Sequence, residues 1–116
     1  MLERVNWIEV GRVEDVPARG ARVVRTPLGE VAVFRTGTDE VFALVNRCPH
    51  ANGPLSEGIV HDRSVTCPLH GRVISLVTGR MREPDVGCTP TLPVQVDEDG
   101  TIRLALVPET AEPLDA

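Results

Sequence analysis

Four residues with metal-binding side chains fall in a tight pattern: Cys48-Pro49-His50, then sixteen residues, then Cys67-Pro68-Leu69-His70. They are four of the six Cys and His residues in the chain. Two thiolates and two imidazoles make a soft-to-borderline donor set that suits zinc or an iron–sulfur cluster. Spacing bears on the choice. A structural zinc site usually leaves roughly two to four residues between its first two ligands, whereas a single residue separates Cys48 from His50. That gap is tight for two ligands of one tetrahedral ion. It suits ligands that go to different irons one sulfide bridge apart. A [2Fe–2S] cluster with two Cys on one iron and two His on the other is therefore favoured, with a zinc site as the alternative.

Such ligands need a scaffold that fixes their separation. The chain has three aromatic residues, ten Pro and ten Gly, and its apolar runs are short and rich in Val. Period-2 alternation and short buried runs dominate, which predicts an all-β protein. Strands are expected at residues 7–10, 22–25, 31–35, 41–45, 59–60, 64–66, 73–77, 94–96 and 102–107. A hairpin turn is expected at residues 36–39, where Gly and Asp tolerate positive φ. The predicted shape is an antiparallel β-sandwich or barrel over residues 1–107. A loop-rich insertion of residues 46–85 carries the chemistry. Residues 108–116, acidic and without strand pattern, are expected to be a disordered tail.

At 116 residues the chain fits one domain. It has no apolar run of the roughly 18 residues a membrane span needs and no apolar stretch of signal-peptide type near Met1. A cytoplasmic location is expected, with no membrane partner. Three Cys, two of them in Cys/His motifs, favour metal over disulfide in a reducing compartment. A net charge of −5 argues against nucleic acid. Every basic residue is Arg, which suits bidentate pairing with carboxylates; Arg47 and Arg72, beside the ligands, are candidates for contact with a partner.

The pattern Cys48-x-His50 … Cys67-x-x-His70 resembles the signature of the Rieske [2Fe–2S] domain family, and the order of strands and loops is similar over nearly the whole chain. The resemblance implies a Rieske-type fold (the domain of respiratory iron–sulfur proteins) with an inserted cluster-binding subdomain. It implies that Cys48 and Cys67 hold the inner iron and that His50 and His70 hold the outer one. Pro49 and Pro68 stiffen the two turns, and Gly53, Gly58 and Gly71 are candidates for close backbone approach to the cluster. Residues 84–87, Pro84-Asp85-Val86-Gly87, are a candidate third shielding loop. His61 is read as an ordinary turn or surface residue and Cys88 as a small buried or half-buried one; neither is expected to be a ligand. Respiratory Rieske proteins carry an extra Cys in each loop and a Tyr after the second motif. This chain has neither, which places the expected potential low in the Rieske range, at about −150 mV to 0.

Around the ligands, Asn46-Arg47-Cys48-Pro49-His50, residues 53–60 and residues 65–70 look like the small subunit of NAD(P)H-dependent nitrite reductase. That resemblance implies one-electron transfer within an assimilatory complex reducing nitrite to ammonia, beside a large subunit carrying FAD and sirohaem. The alternative is a free-standing Rieske ferredoxin that takes electrons from a flavoprotein reductase and supplies an aromatic-ring-hydroxylating oxygenase. A structural zinc module is the third reading. In the redox readings the chain relays electrons between larger partners and turns over no substrate itself.

Overall fold

The computed structural model describes residues 7–48, 53–69, 71–82 and 87–107. They form ten strands: β1 (Trp7–Arg12), β2 (Gly20–Thr26), β3 (Gly29–Arg35), β4 (Val41–Val45), β5 (Ile59–His61), β6 (Ser64–Thr66), β7 (Val73–Ser75), β8 (Thr91–Leu92), β9 (Val94–Val96) and β10 (Thr101–Ala105). Pairing is antiparallel throughout, in three sheets of order β1-β10-β9, β2-β3-β4-β8 and β5-β6-β7. The all-β, antiparallel architecture matches the expectation from the sequence.

Strand β3 explains how the layers stack. Val31, Ala32, Val33 and Phe34 are all buried, because β3 is covered on both faces. Side chains alternate across a strand. Val31 and Val33 pack with Leu104 and Ile102 of β10 in two small cores. Ala32 and Phe34 face the other way, into the largest core, with Leu44 of β4, Leu55, Val60, Val65, Ile74, Leu76 and Met81. Cys48 and Cys67 belong to that same core. The middle sheet is thus the floor on which both cysteine turns rest, and burying Phe34 there is worth about 3–5 kcal/mol against Ala.

Several elements differ in detail from the sequence reading. β1 runs on to Arg12 through a bulge between Glu9 and Gly11. The turn after β3 places Asp39 at positive φ, with Gly37 in ordinary backbone. β7 stops at Ser75, two residues earlier than expected, because the Ser75 hydroxyl accepts the amides of Val77 and Thr78 and turns the chain. β8 was not expected as a strand; its two residues pair Leu92 with Ala43 and Thr91 with Leu44. Residues 108–116 and the segment 83–86, which holds most of the candidate third loop, lie outside the described residues.

A bidentate ion pair ties the β5-β6 turn to the β3-β4 turn. Arg63 Nε donates to Glu40 Oε1 at 2.9 Å and its Nη2 to Oε2 at 2.6 Å. The hydrogen bond from Arg63 holds the Glu40 carboxyl below its ordinary pKa. A carboxylate depressed in the folded state stabilises fully above its unfolded pKa, near about 4.3, and loses that contribution as pH falls through the folded value. The melting-temperature gap between the native protein and Glu40→Gln is therefore expected to be constant from neutral pH to about pH 5 and to close below about pH 4. Thermal melts at a series of pH values check it.

Candidate functional site

The two cysteine turns are built alike. The Cys48 amide donates to the Gly53 carbonyl at 2.8 Å, and the Cys67 amide donates to the Arg72 carbonyl at 2.7 Å. Each bond runs from the cysteine to the residue five positions on and closes a six-residue loop. In the second loop the Gly71 amide also returns to the Cys67 carbonyl at 3.1 Å, with Gly71 at φ 71°. Positive φ is where glycine carries no penalty. By sequence, His50 falls inside the first closed loop and His70 inside the second. Both lie outside the described residues, so of the four residues expected as ligands the structure places the two cysteines. Both thiols are buried, at 1% exposure, and both are free of disulfide bonds.

Gly53 joins the loops. A Cβ built on it would stand 2.7 Å from Leu69 Cδ1 and 3.5 Å from Cys67 Sγ. The first loop's backbone therefore passes directly against the second loop's thiol, with the Leu69 side chain across the seam. A bulkier residue has to displace one of them. Gly53→Ala is expected to swing the half-exposed Leu69 aside at a cost of about 1 kcal/mol, whereas Gly53→Val is expected to press on the thiol and lower iron occupancy. Iron and sulfide assays with thermal melts separate the two. The Gly58 amide closes the turn at residues 55–57 on the Leu55 carbonyl, and the Gly71 amide is engaged as above. Gly58 serves close packing instead: a Cβ there would run into the Thr66 carbonyl.

Two supports were not read as such from the sequence. Asn46 receives the Ser56 amide on Oδ1 at 2.8 Å while its own amide donates to the Glu30 carbonyl at 2.9 Å, which pins the exit of β4 to the first loop. Thr89, buried, donates its hydroxyl to the Arg47 carbonyl at 2.9 Å from 42 residues away. Its amide donates to the Gly79 carbonyl at 2.8 Å. Nothing in local spacing announces Thr89. His61 lies on β5, with Nε2 2.8 Å from the Thr66 hydroxyl. Cys88 is half-buried opposite Arg80 in an isolated bridge. Among the described residues no group of three or more His, Cys, Asp or Glu gathers as a metal site.

A β domain that buries two cysteine side chains, neither in a disulfide, in matched, hydrogen-bonded turns fits the class that holds a soft metal centre between two loops. The comparisons give the particular family. The Rieske [2Fe-2S] domain matches residues 6–93, and the chain belongs to that family. Its cofactor is a [2Fe–2S] cluster, and the two buried thiols fit that donor set. The chain is 42% identical over 95 residues to the anthranilate 1,2-dioxygenase ferredoxin subunit of Burkholderia cepacia, covering 78% of this chain and 79% of that one. The fold matches a structure from Mycobacterium tuberculosis described as the small subunit of an NADH-dependent nitrite reductase, with a TM-score of 0.80 and 26% identity over 90% of this chain and 98% of that one. It also matches a chain from the complex of reduced oxygenase and oxidised ferredoxin in carbazole 1,9a-dioxygenase, with a TM-score of 0.75 and 29% identity over 85% of this chain and 92% of that one. Among the described residues no helix is long and apolar enough to cross a membrane. When bound, the cluster supplies one-electron redox chemistry, and this chain is an electron-transfer domain. The chain buries both cysteine side chains in the core and leaves Pro68 and Leu69 at the surface.

Proposed function

We propose that this chain is the ferredoxin component of a multicomponent aromatic-ring oxygenase, carrying single electrons from a flavoprotein reductase to the oxygenase. The observation that carries the reading is the 42% identity to a dioxygenase ferredoxin subunit over a stretch that includes most of both chains. In this reading Cys48, His50, Cys67 and His70 are the cluster ligands. The scaffold is residues 1–107, with residues 46–85 inserted to hold the centre and residues 108–116 outside it. A potential of about −150 mV to 0 follows from a chain with no Tyr and no second Cys in either loop. Protein-film voltammetry reading above roughly +150 mV would contradict it.

A second reading is favoured by one observation. The match to the nitrite reductase small subunit has a TM-score of 0.80 and spans 98% of that chain. In that reading the acceptor is a sirohaem-containing large subunit reducing nitrite. Reconstitution separates the two. NADH-driven oxygen uptake by a reductase and an aromatic-ring oxygenase, dependent on this chain, supports the first. Capture of a sirohaem subunit, with NADH-dependent nitrite reduction requiring this chain, would replace it with the second.

A further inference from the structure

The two cysteines are delivered to their turns differently. Cys67 follows β6 directly, and β6 is a central strand. Thr66 pairs with Ile59 of β5 on one side and with Val73 of β7 on the other. The chain therefore enters the second turn from a strand held on both edges. Cys48 has no such support, because β4 ends at Val45. The Asn46 amide still reaches the Glu30 carbonyl of β3 at 2.9 Å, but the next amide, that of Arg47, folds back on the Val45 carbonyl at 2.7 Å. A bond between residues two apart is a γ-turn, and it takes Arg47 out of the ladder.

The cause lies on the neighbouring strand. β8 pairs Leu92 with Ala43 and Thr91 with Leu44, and the same register sets Pro90 opposite Val45. The Pro90 carbonyl accepts the Val45 amide at 3.0 Å, but proline has no N–H to return. The Val45 carbonyl is left to the Arg47 amide, and the Arg47 carbonyl leaves the ladder without a backbone partner. Thr89 fills that place with its side chain: its hydroxyl donates to the Arg47 carbonyl at 2.9 Å. The Thr89 amide is already committed to the Gly79 carbonyl at 2.8 Å. The peptide between Arg47 and Cys48 is thus gripped at both ends, its C=O by the Thr89 hydroxyl and its N–H by the Gly53 carbonyl at 2.8 Å. Thr89 itself is 1% exposed.

We propose that Thr89 is a positioning residue for the cluster: its hydroxyl fixes the peptide from which Cys48 springs, and with it one of the two buried thiolates. The proposal rests on the reading that Cys48 is a ligand. Groups one step behind a metal ligand orient it, and losing one typically costs about 10–100-fold in metal affinity. A valine at position 89 would turn a methyl group to the Arg47 carbonyl and leave that carbonyl unpaired. The peptide, already outside the ladder, would then be held by the Gly53 bond alone among the described residues. Cys67, fed by a central strand, would keep its support.

The test uses the cluster-loaded full chain and three variants. Thr89→Val keeps the shape and removes the hydroxyl, whereas Thr89→Ser keeps the hydroxyl and removes a methyl. Thr36→Val controls for lost stability. Thr36 is another buried threonine, whose hydroxyl accepts the amides of Thr38 at 3.3 Å and Glu40 at 3.0 Å, in the turn at the other end of β4 from Cys48. Iron release to an iron chelator is timed well below the melting temperature of every variant, and EPR line widths are read on the reduced protein. Thr89→Val is expected to release iron about tenfold faster than the native protein and to broaden the EPR lines. Thr89→Ser is expected to stay within about twofold of the native rate. Thr36→Val is expected to lower the melting temperature while releasing iron at the native rate. The proposal is overturned by a native rate in Thr89→Val, by a rate in Thr89→Ser equal to that in Thr89→Val, or by equal acceleration in Thr36→Val. If Thr89→Val folds but takes up no cluster while Thr36→Val loads fully, the proposal stands; if neither loads, it falls. A native sample with no Rieske EPR signal would instead overturn the assignment of Cys48 as a ligand, and that outcome is read first.

Discussion

Cys48→Ser and Cys67→Ser are each expected to abolish the visible absorption and the reduced-state EPR signal of the cluster, with iron and sulfide falling to background. His50→Ala and His70→Ala are expected to do the same. Both thiols are buried in one core with Phe34, Leu44 and Val65, so no solvent ligand is at hand to replace a lost thiolate. Serine is a poor, hard substitute at a site that soft sulfur donors select. His61→Ala is the control that separates ligation from folding. Its ring meets the Thr66 hydroxyl at 2.8 Å, one residue before Cys67. Losing that bond is expected to cost about 1 kcal/mol and to lower the melting temperature by roughly 4–8 °C, while the Rieske spectrum survives. Bleaching of the centre by His61→Ala would overturn the four-residue assignment. Zinc bound stoichiometrically to a colourless native protein would overturn the redox reading as a whole.

The scaffold was legible because its strands obey a simple period. Val31 to Phe34 read as a buried apolar run, and the structure buries all four, two against each neighbouring layer. The cysteines were legible because their type and spacing are rare. What escaped depends on contacts far apart in sequence. The two residues of β8 carry no pattern of their own and become a strand only by pairing with Ala43 and Leu44. Thr89 looks like any loop threonine until the fold sets it under Arg47. The early end of β7 is a side-chain effect: the Ser75 hydroxyl competes with the sheet for two backbone amides. Gly58 was read as a glycine for the cluster, but its lack of a side chain is needed by the Thr66 carbonyl. The turns differ from the strands in this respect: their residue types announce chemistry, and their geometry is set by distant braces.

The braces make Gly79 a second sensitive point. Gly79 sits at φ 78°, and a Cβ on it would run into the Thr89 carbonyl, with Thr91 Cγ2 at 3.1 Å. The obstacle is backbone and cannot rotate away. Gly79→Ala must therefore push residues 79 and 89 apart, loosening the bond between the Thr89 amide and the Gly79 carbonyl and, through it, the hydroxyl that holds Arg47 next to Cys48. Gly100 is the matched comparison. It has φ 90° but nothing within 4 Å of its Cβ position, so Gly100→Ala isolates the conformational penalty of about 1 kcal/mol. Gly79→Ala adds the collision and is expected to cost about 3 kcal/mol or more, a fall in melting temperature of roughly 12–24 °C against 4–8 °C for Gly100→Ala. Cluster occupancy should separate the two further, falling in Gly79→Ala and holding in Gly100→Ala, because only the first displaces the support beneath Cys48. Equal melting temperatures and equal iron content in the two variants would mean that the Thr89 brace does not hold the first cysteine turn in place.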